Sequence, residues 1–269
     1  MCEQTKAGDI EMRALVTGAS KRLGRAMALT LAEAGYDLAL HYVTSEVDAR
    51  DTANAVVALG RRAVIVKADL LEDAQSAGVI SRAAEALGGP ITCLVNNASI
   101  FEPDEIATVT RDSWDRHMQS NLRAPFLLIQ SLAAQNLPDL RDARGEPLAA
   151  AQVINMIDQR VRKLTPQFMS YTLAKSALWT LTQTAAQALA PKIRVNAIGP
   201  GPTLQGPRQA PEDFAAQRAA TVLGRGAEAE DITAALRYLL AAKAVTGQLI
   251  CVDGGQHLGW QTPDSLLPE

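Results

Sequence analysis

The segment ALVTGASKRLG, residues 14–24, decides the architecture. ALVT (14–17) reads as a short strand, and it runs without a linker into a turn that carries Gly18 and Gly24. The segment that follows, LGRAMALTLAEAG (23–35), has helical spacing, with Leu23, Met27, Leu31 and Ala34 on one face. Gly18 permits a tight turn and Gly24 permits the helix to pack closely on the strand. The first N–H groups of the helix then point at whatever the turn encloses, which suits an anion. A plain turn and cap would use the same residues, so the rest of the chain has to choose between the two readings.

Outward from this unit the alternation repeats. YDLALHY (36–42), AVIVKADL (63–70), ITCLVNNA (91–98), AQVINMI (151–157), IRVNAIG (193–199) and GQLICVDGG (247–255) supply six more strands. Helical segments fall near 45–59, 72–87, 112–136, 168–190 and 228–242. Strands that are apolar along their length and separated by helices predict an α/β fold: one doubly wound domain, with a seven-stranded parallel sheet covered on both faces. The domain is expected over 13–256, with tails at 1–12 and 257–269. PDLRDARGEPLAAA (138–151) reads as a surface excursion. GPGPTLQGPRQAP (199–211) follows a strand C-terminus, where such sheets place their ligands, and is expected to set substrate choice.

Composition narrows the function classes. The 269 residues are 48% hydrophobic and 20% charged, which excludes a disordered chain. No stretch reaches about 18 uninterrupted apolar residues, so no membrane span is expected. The start, MCEQTKAGDIEMR, carries Glu3, Asp9 and Glu11 before any apolar run and does not read as a signal peptide. A net charge of −3 with no basic block argues against nucleic acid as a partner. Cys2, Cys93 and Cys251 share no ligand spacing, and His41, His117 and His257 are scattered. Neither a disulfide framework nor a metal site is expected; Cys93 and Cys251 read as small buried hydrophobes, and a reducing, cytoplasmic location is the expectation.

Features near the turn favour a nucleotide. Lys21 and Arg22 add cations to the loop. Strand two ends at His41, where a site preferring NAD usually carries an acid for the ribose hydroxyls. With no acid there, Lys21, Arg22, His41 and Ser45 suit a 2′-phosphate, so NADP(H) is the expected cofactor. Asp69 either caps a loop around the adenine or caps the helix at 72–87. Further along, Tyr171 and Lys175 stand four apart in YTLAK and share a helix face. An ammonium beside a phenol lowers its pKa from about 10, which would let Tyr171 give up a proton near neutrality. Asn97 in NNAS and Asn121 in SNL are polar residues that follow apolar patterns, as a buried site needs.

TGASKRLG, NNAS, SNL, YTLAK, RVNAIGPGP and VDGG occur in an order and spacing that resembles the short-chain dehydrogenase/reductase family, over roughly residues 13–256. The resemblance implies a Rossmann-type domain, a nicotinamide cofactor, a small-molecule substrate and commonly a homotetramer. It implies that Tyr171 donates a proton, that Lys175 orients it and contacts the nicotinamide ribose, and that Asn121 supports a proton-relay water. Leu23, Asn97, Ala98, Ser99, Pro200 and Gly201 complete the implied cofactor site with Gly18 and Gly24.

Two departures sharpen the reading. Arg22 stands where the family's turn has a third glycine, and Asp158 stands where it has a serine, thirteen residues before the tyrosine. A serine hydroxyl helps to hold a ketone oxygen, whereas an ionised aspartate would repel a developing alkoxide. Protonation of a ring nitrogen, as hydride adds across C=N, suits Asp158 better, and desolvation would raise its pKa. Both departures resemble the pteridine reductase branch, as do KRLG (21–24), HYVTS (41–45), NNASIF (96–101) and the set Asp158, Tyr171, Lys175. That likeness implies that Phe101 stacks the pterin, that Ser99 bonds cofactor phosphate or pterin, and that Arg22 serves the phosphates and reaches the substrate. Thr44 departs from the basic residue some members carry. The expectation is an NADPH-dependent reductase of a pterin or folate C=N bond. A reductase of another carbonyl or imine is the alternative. A non-catalytic nucleotide sensor is disfavoured because Tyr171, Lys175 and Asn121 are all in place.

Overall fold

The computed structural model describes residues 11–206 and 208–262. Seven parallel strands form one sheet: β1 (Arg13–Val16), β2 (Asp37–Tyr42), β3 (Ala63–Lys67), β4 (Cys93–Asn96), β7 (Ala151–Met156), β8 (Ile193–Pro200) and β9 (Leu249–Val252). Their spatial order is β3-β2-β1-β4-β7-β8-β9. A two-stranded hairpin, β5 (Leu140–Arg141) and β6 (Pro147–Leu148), stands apart from it. The helices are α1 (Arg22–Glu33), α2 (Glu46–Ala58), α3 (Asp73–Ala77), α4 (Val79–Leu87), α5 (Arg111–Met118), α6 (Ala124–Ala133), α7 (Met169–Leu189), α8 (Pro211–Ala219) and α9 (Ala229–Ala241). This is a single Rossmann-type α/β domain.

Successive side chains of a strand face opposite ways, so each strand feeds two cores. Ala14 and Val16 join Leu38, Leu40, Val95 and Ile154 beneath α1 and α9, where Met27, Leu31 and Leu236 complete the layer. Leu15 faces the other way and packs with Leu94 and Val153 against Ile80, Leu128 and Ala185 of α4, α6 and α7. Because both faces are covered, the strands could be read as apolar runs. Cys93 is fully buried and Cys251 half-buried, both as free thiols, while Cys2 lies outside the described residues.

The chain departs from the expected elements at four places. The helix expected at 72–87 is divided at Gly78 into α3 and α4. The helix expected at 112–136 widens into one π turn, Gln119–Arg123, between α5 and α6. The excursion at 138–151 folds back as the β5–β6 hairpin. The 199–211 loop leads into α8, which buries no side chain and so had no apolar face to announce it. Among the described residues no helix is long and apolar enough to cross a membrane.

The sheet order sets the position of the site. β1, β2 and β3 progress to one side, and β4 then returns to the other flank of β1. The crevice beyond the C-terminal ends of β1 and β4 is therefore the switch point at which open α/β sheets bind ligands.

Candidate active site

A cleft of about 810 Å³ opens at that switch point. Its nucleotide end is built from the β1–α1 turn and the end of β4. Gly18 adopts φ +62°, and a Cβ on Gly24 would lie 2.1 Å from the Gly18 carbonyl oxygen, so neither position accepts a side chain without movement. Thr17 Oγ1 accepts from the Asn97 and Ala98 backbone N–H groups, both at 2.9 Å. Asn97 Nδ2 donates to Thr17 O at 2.8 Å and to Gly18 O at 3.2 Å, so the turn is stitched to β4. Asn97 and Ala98 line the cleft, but the Asn97 amide is spent on this bracing.

The N-terminus of α1 has no side-chain cap at Lys21 and no acidic residue in its first turn. Its leading N–H groups are therefore left for a ligand, and an anion is what the helix dipole favours there. Lys21, Arg22, Leu23 and Ser45 line the same end. Lys21 is drawn to Asp48 at 2.8 Å. Arg22, at φ +54°, donates to Leu204 O at 3.0 Å and Gln205 O at 2.9 Å, which fastens the 199–211 loop to the turn. Pro200 and Gly201 close that side. A glycine-walled turn, an uncapped helix end and cations without an acid from the end of β2 fit the phosphates of a dinucleotide.

Two expected cofactor residues are not in the cleft. His41 is fully buried; its Nδ1 accepts from Gly18 N–H at 3.1 Å, and its Nε2 meets Ala68 O at 3.0 Å. An acceptor Nδ1 and a donor Nε2 define the neutral tautomer. Burial pushes its pKa down to about 4, so it is not the cation expected beside a 2′-phosphate; it props the glycine turn from behind. Asp69 accepts from Leu71 N–H at 3.0 Å and shapes the turn before α3, whose N-cap is Glu72. It neither lines the cleft nor caps the helix.

The chemical end is carried by β7 and α7. Tyr171 Oη donates to Asp158 Oδ2 at 2.9 Å, and Asp158 Oδ1 accepts from Arg160 N–H at 2.8 Å. Lys175 Nζ lies 5.7 Å from the Tyr171 ring centroid and donates to Met156 O at 2.8 Å. All three side chains line the cleft; Tyr171 and Lys175 are buried and Asp158 is half-buried. Burial raises the Asp158 pKa above the ordinary carboxylate range, against the opposing Arg160 N–H, the Arg160 charge and the Tyr171 hydrogen bond. Burial lowers the Lys175 pKa to about 8, with the Asp158 charge opposing it.

The Tyr171 pKa is raised, not depressed as the Tyr171–Lys175 spacing predicts. Burial and then the neighbouring Asp158 carboxylate raise it well above its ordinary value, and Lys175 does not reverse this. The phenol donates to the carboxyl group, and the two groups titrate as a coupled pair. Ser99 also meets the phenol.

Asn121 sits at the π turn, fully buried and outside the cleft lining. Its Oδ1 accepts from Ile100 N–H at 3.0 Å and its Nδ2 donates to Ile100 O at 2.8 Å, so it clamps the strand of chain that carries Ser99 and Phe101. Phe101 is 44% exposed, yet one face is covered by Phe168 in a parallel stack at 4.2 Å, with Tyr171 edge-on at 4.7 Å.

Sequence reasoning missed several neighbours. Phe168 is the N-cap of α7 at φ +55°, an uncommon conformation for an aromatic residue, and the Arg160 guanidinium lies 5.2 Å from its ring centroid. Arg208 reaches from the 199–211 loop to donate to Phe101 O. Behind Tyr171, His117 Nδ1 bonds Ser170 Oγ at 2.7 Å, Ser170 Oγ donates to Asp104, and His117 Nε2 accepts from Glu102 N–H at 3.1 Å. No local pattern marks these residues, because Arg160 and Phe168 pair outside any regular spacing and the other partners are remote in the chain. Among the described residues, no group of three or more His, Cys, Asp or Glu side chains is placed to hold a metal.

A family model described as enoyl-(acyl carrier protein) reductase matches residues 18–257. A short-chain dehydrogenase/reductase from Armillaria gallica is 33% identical over 257 residues, spanning 90% of this chain and 94% of the relative. The chain belongs to the short-chain dehydrogenase/reductase family and is an oxidoreductase of that family. Among solved structures, FolM alternative dihydrofolate reductase 1 from Brucella suis, in complex with NADP, superposes with a TM-score of 0.86 at 43% identity, covering 94% of this chain and 98% of that one. A short-chain dehydrogenase from Burkholderia cenocepacia, also in complex with NADP, gives a TM-score of 0.81 at 30% identity, over 91% of this chain and 97% of that one.

Proposed function

We propose that the protein is an NADPH-dependent reductase acting on a C=N bond of a pterin or folate-type substrate. The observation that carries this reading is the hydrogen bond from Tyr171 to Asp158, a carboxyl group where ketone-reducing relatives would need a neutral donor. The Brucella suis structure, described as an alternative dihydrofolate reductase bound to NADP, supports both the substrate class and the cofactor.

Bound NADPH supplies the hydride. The N–H groups at the start of α1, with Ser45, would hold its phosphates, while the Arg22 guanidinium, bonded to Leu204 O and Gln205 O, adds positive charge to that end. Lys175 sits beneath the Tyr171 ring and keeps positive charge at the reacting end. Burial raises the pKa of both Asp158 and Tyr171, which favours the protonated forms, and the pair gives a proton to the ring nitrogen as the C=N bond is reduced. Phe101, partly exposed beside its stack with Phe168, offers an aromatic surface to the flat heterocycle. Asn121 acts through Ile100 and fixes where Ser99 and Phe101 stand. The reductase domain comprises 13–256, the enzyme works in the cytoplasm, and it assembles as a homotetramer, which light scattering on the purified protein would test.

The decisive assay follows NADPH absorbance with dihydrobiopterin, dihydrofolate and folate, beside a panel of ketones and quinones. Turnover confined to the pterins is the expected result. Turnover confined to carbonyl substrates would leave the family and Tyr171 standing and remove the pterin assignment.

A further inference from the structure

We propose that the substrate end of the cleft contains a carboxylate-binding site, made by Arg160 and Arg208 on either side of the Phe101–Phe168 stack, which favours pterins carrying an acidic aryl tail over those with an uncharged side chain. This rests on the pterin reading above. Five cations and two acids line the cleft. Lys21 is paired with Asp48, Arg22 is committed to the 204–205 carbonyls, and Lys175 lies under Tyr171. Arg160 and Arg208 remain, and neither forms an ion pair among the described residues.

Both flank the same aromatic pair. The Arg160 guanidinium lies over the Phe168 ring, and Arg208 donates to the Phe101 carbonyl. Arg160 Nε is buried with no hydrogen-bond partner. Each guanidinium has five N–H donors, of which the protein uses few; Arg160 is partly desolvated and gains the more from a carboxylate, while Arg208 is exposed and presents its charge at the rim. The cleft's own acids do not meet this demand, because Asp158 is engaged by Tyr171 and Glu102 by Arg116 at 3.1 Å. A flat aryl group beside Phe101 and Phe168, ending in carboxylates, matches this run of aromatic rings and cations, and a folate tail has that chemistry.

The test compares kcat/KM for dihydrofolate and dihydrobiopterin in the wild type, Arg208→Gln and Arg208→Lys. Arg208 is the cleaner probe, because the Arg160 charge also acts on Asp158. Arg208→Gln is expected to lower the dihydrofolate-to-dihydrobiopterin ratio roughly ten-fold, the scale of one charge-assisted contact, with the loss in KM and partial recovery in Arg208→Lys. A merely structural role, in which losing the Phe101 contact loosens the loop, would weaken both substrates alike. A ratio unchanged within about two-fold therefore overturns the site while both substrates still turn over. If the wild type reduces neither, the pterin reading itself fails and the tail site falls with it.

Discussion

Asp158, half-buried, and Tyr171, buried, are two acids joined at 2.9 Å, so ionising one makes ionising the other harder. Removing the phenol hydroxyl in Tyr171→Phe is expected to cut turnover on any substrate by about 10²–10⁴-fold, with the circular dichroism spectrum unchanged. Asp158→Ser is expected to lower pterin reduction by about 10²-fold while NADPH affinity, read by fluorescence titration, stays nearly constant. Equal pterin turnover in that variant would remove Asp158 from the mechanism. Lys175 sets an alkaline limit: its pKa is lowered to about 8, so its charge is present below that pH and lost as pH rises through it. The kcat/KM profile is expected to fall above about pH 8, and Lys175→Arg, which stays charged, should carry whatever activity it retains to higher pH. The same limb in both proteins would assign the titration elsewhere.

At the scale of the element, the β1–α1 unit depends on contact between two backbones. A methyl group on Gly24 would press on the Gly18 carbonyl and on Asn97 Nδ2, neither of which is the free end of a flexible side chain. Gly24→Ala is expected to cost about 1–3 kcal/mol and to weaken NADPH binding, because the uncapped start of α1 would have to move. Thermal melts and cofactor titration check both effects, and an unchanged Kd would mean that the phosphates do not sit on this helix end. Asn121 shows how a π turn acts at a distance: the widened turn sends its amide to Ile100, and the loop carrying Ser99 and Phe101 is set from there.

At the scale of the molecule, the sheet carries a packed layer on each face, and the cleft joins β1, β4, β7, α7 and the 199–211 loop. A ligand bound there bridges parts distant in the chain and stabilises them together. NADPH at about one hundred times its Kd is expected to add about 2.7 kcal/mol, a rise in Tm of roughly 5–10 °C. NADH at the same concentration should give a clearly smaller shift, because no side chain from the end of β2 supplies the acid that ribose hydroxyls need. Equal shifts for the two cofactors would overturn the preference for the 2′-phosphate.

The amino-acid sequence by itself determined the sheet, the glycine turn and the order of the chemical groups. Each seven-strand element is a local apolar run, and the Gly18–Gly24 and Tyr171–Lys175 spacings are properties of one turn and one helix face. It did not show that α8 exists, because that helix buries nothing, nor that Gly78 divides α3 from α4. Only the tertiary structure decided which way side chains pointed and what they met. His41 and Tyr42 are neighbours on β2, yet Tyr42 lines the cleft and His41 turns behind the glycine turn, where burial keeps it neutral. The sign of the Tyr171 pKa shift was likewise settled by packing, since burial and Asp158 outweigh a lysine four residues away. Phe168 on Phe101, and Arg160 and Arg208 beside them, come together from three separate segments. Periodicity and motif spacing are short-range signals, whereas desolvation and stacking depend on neighbours that only the folded chain brings within reach.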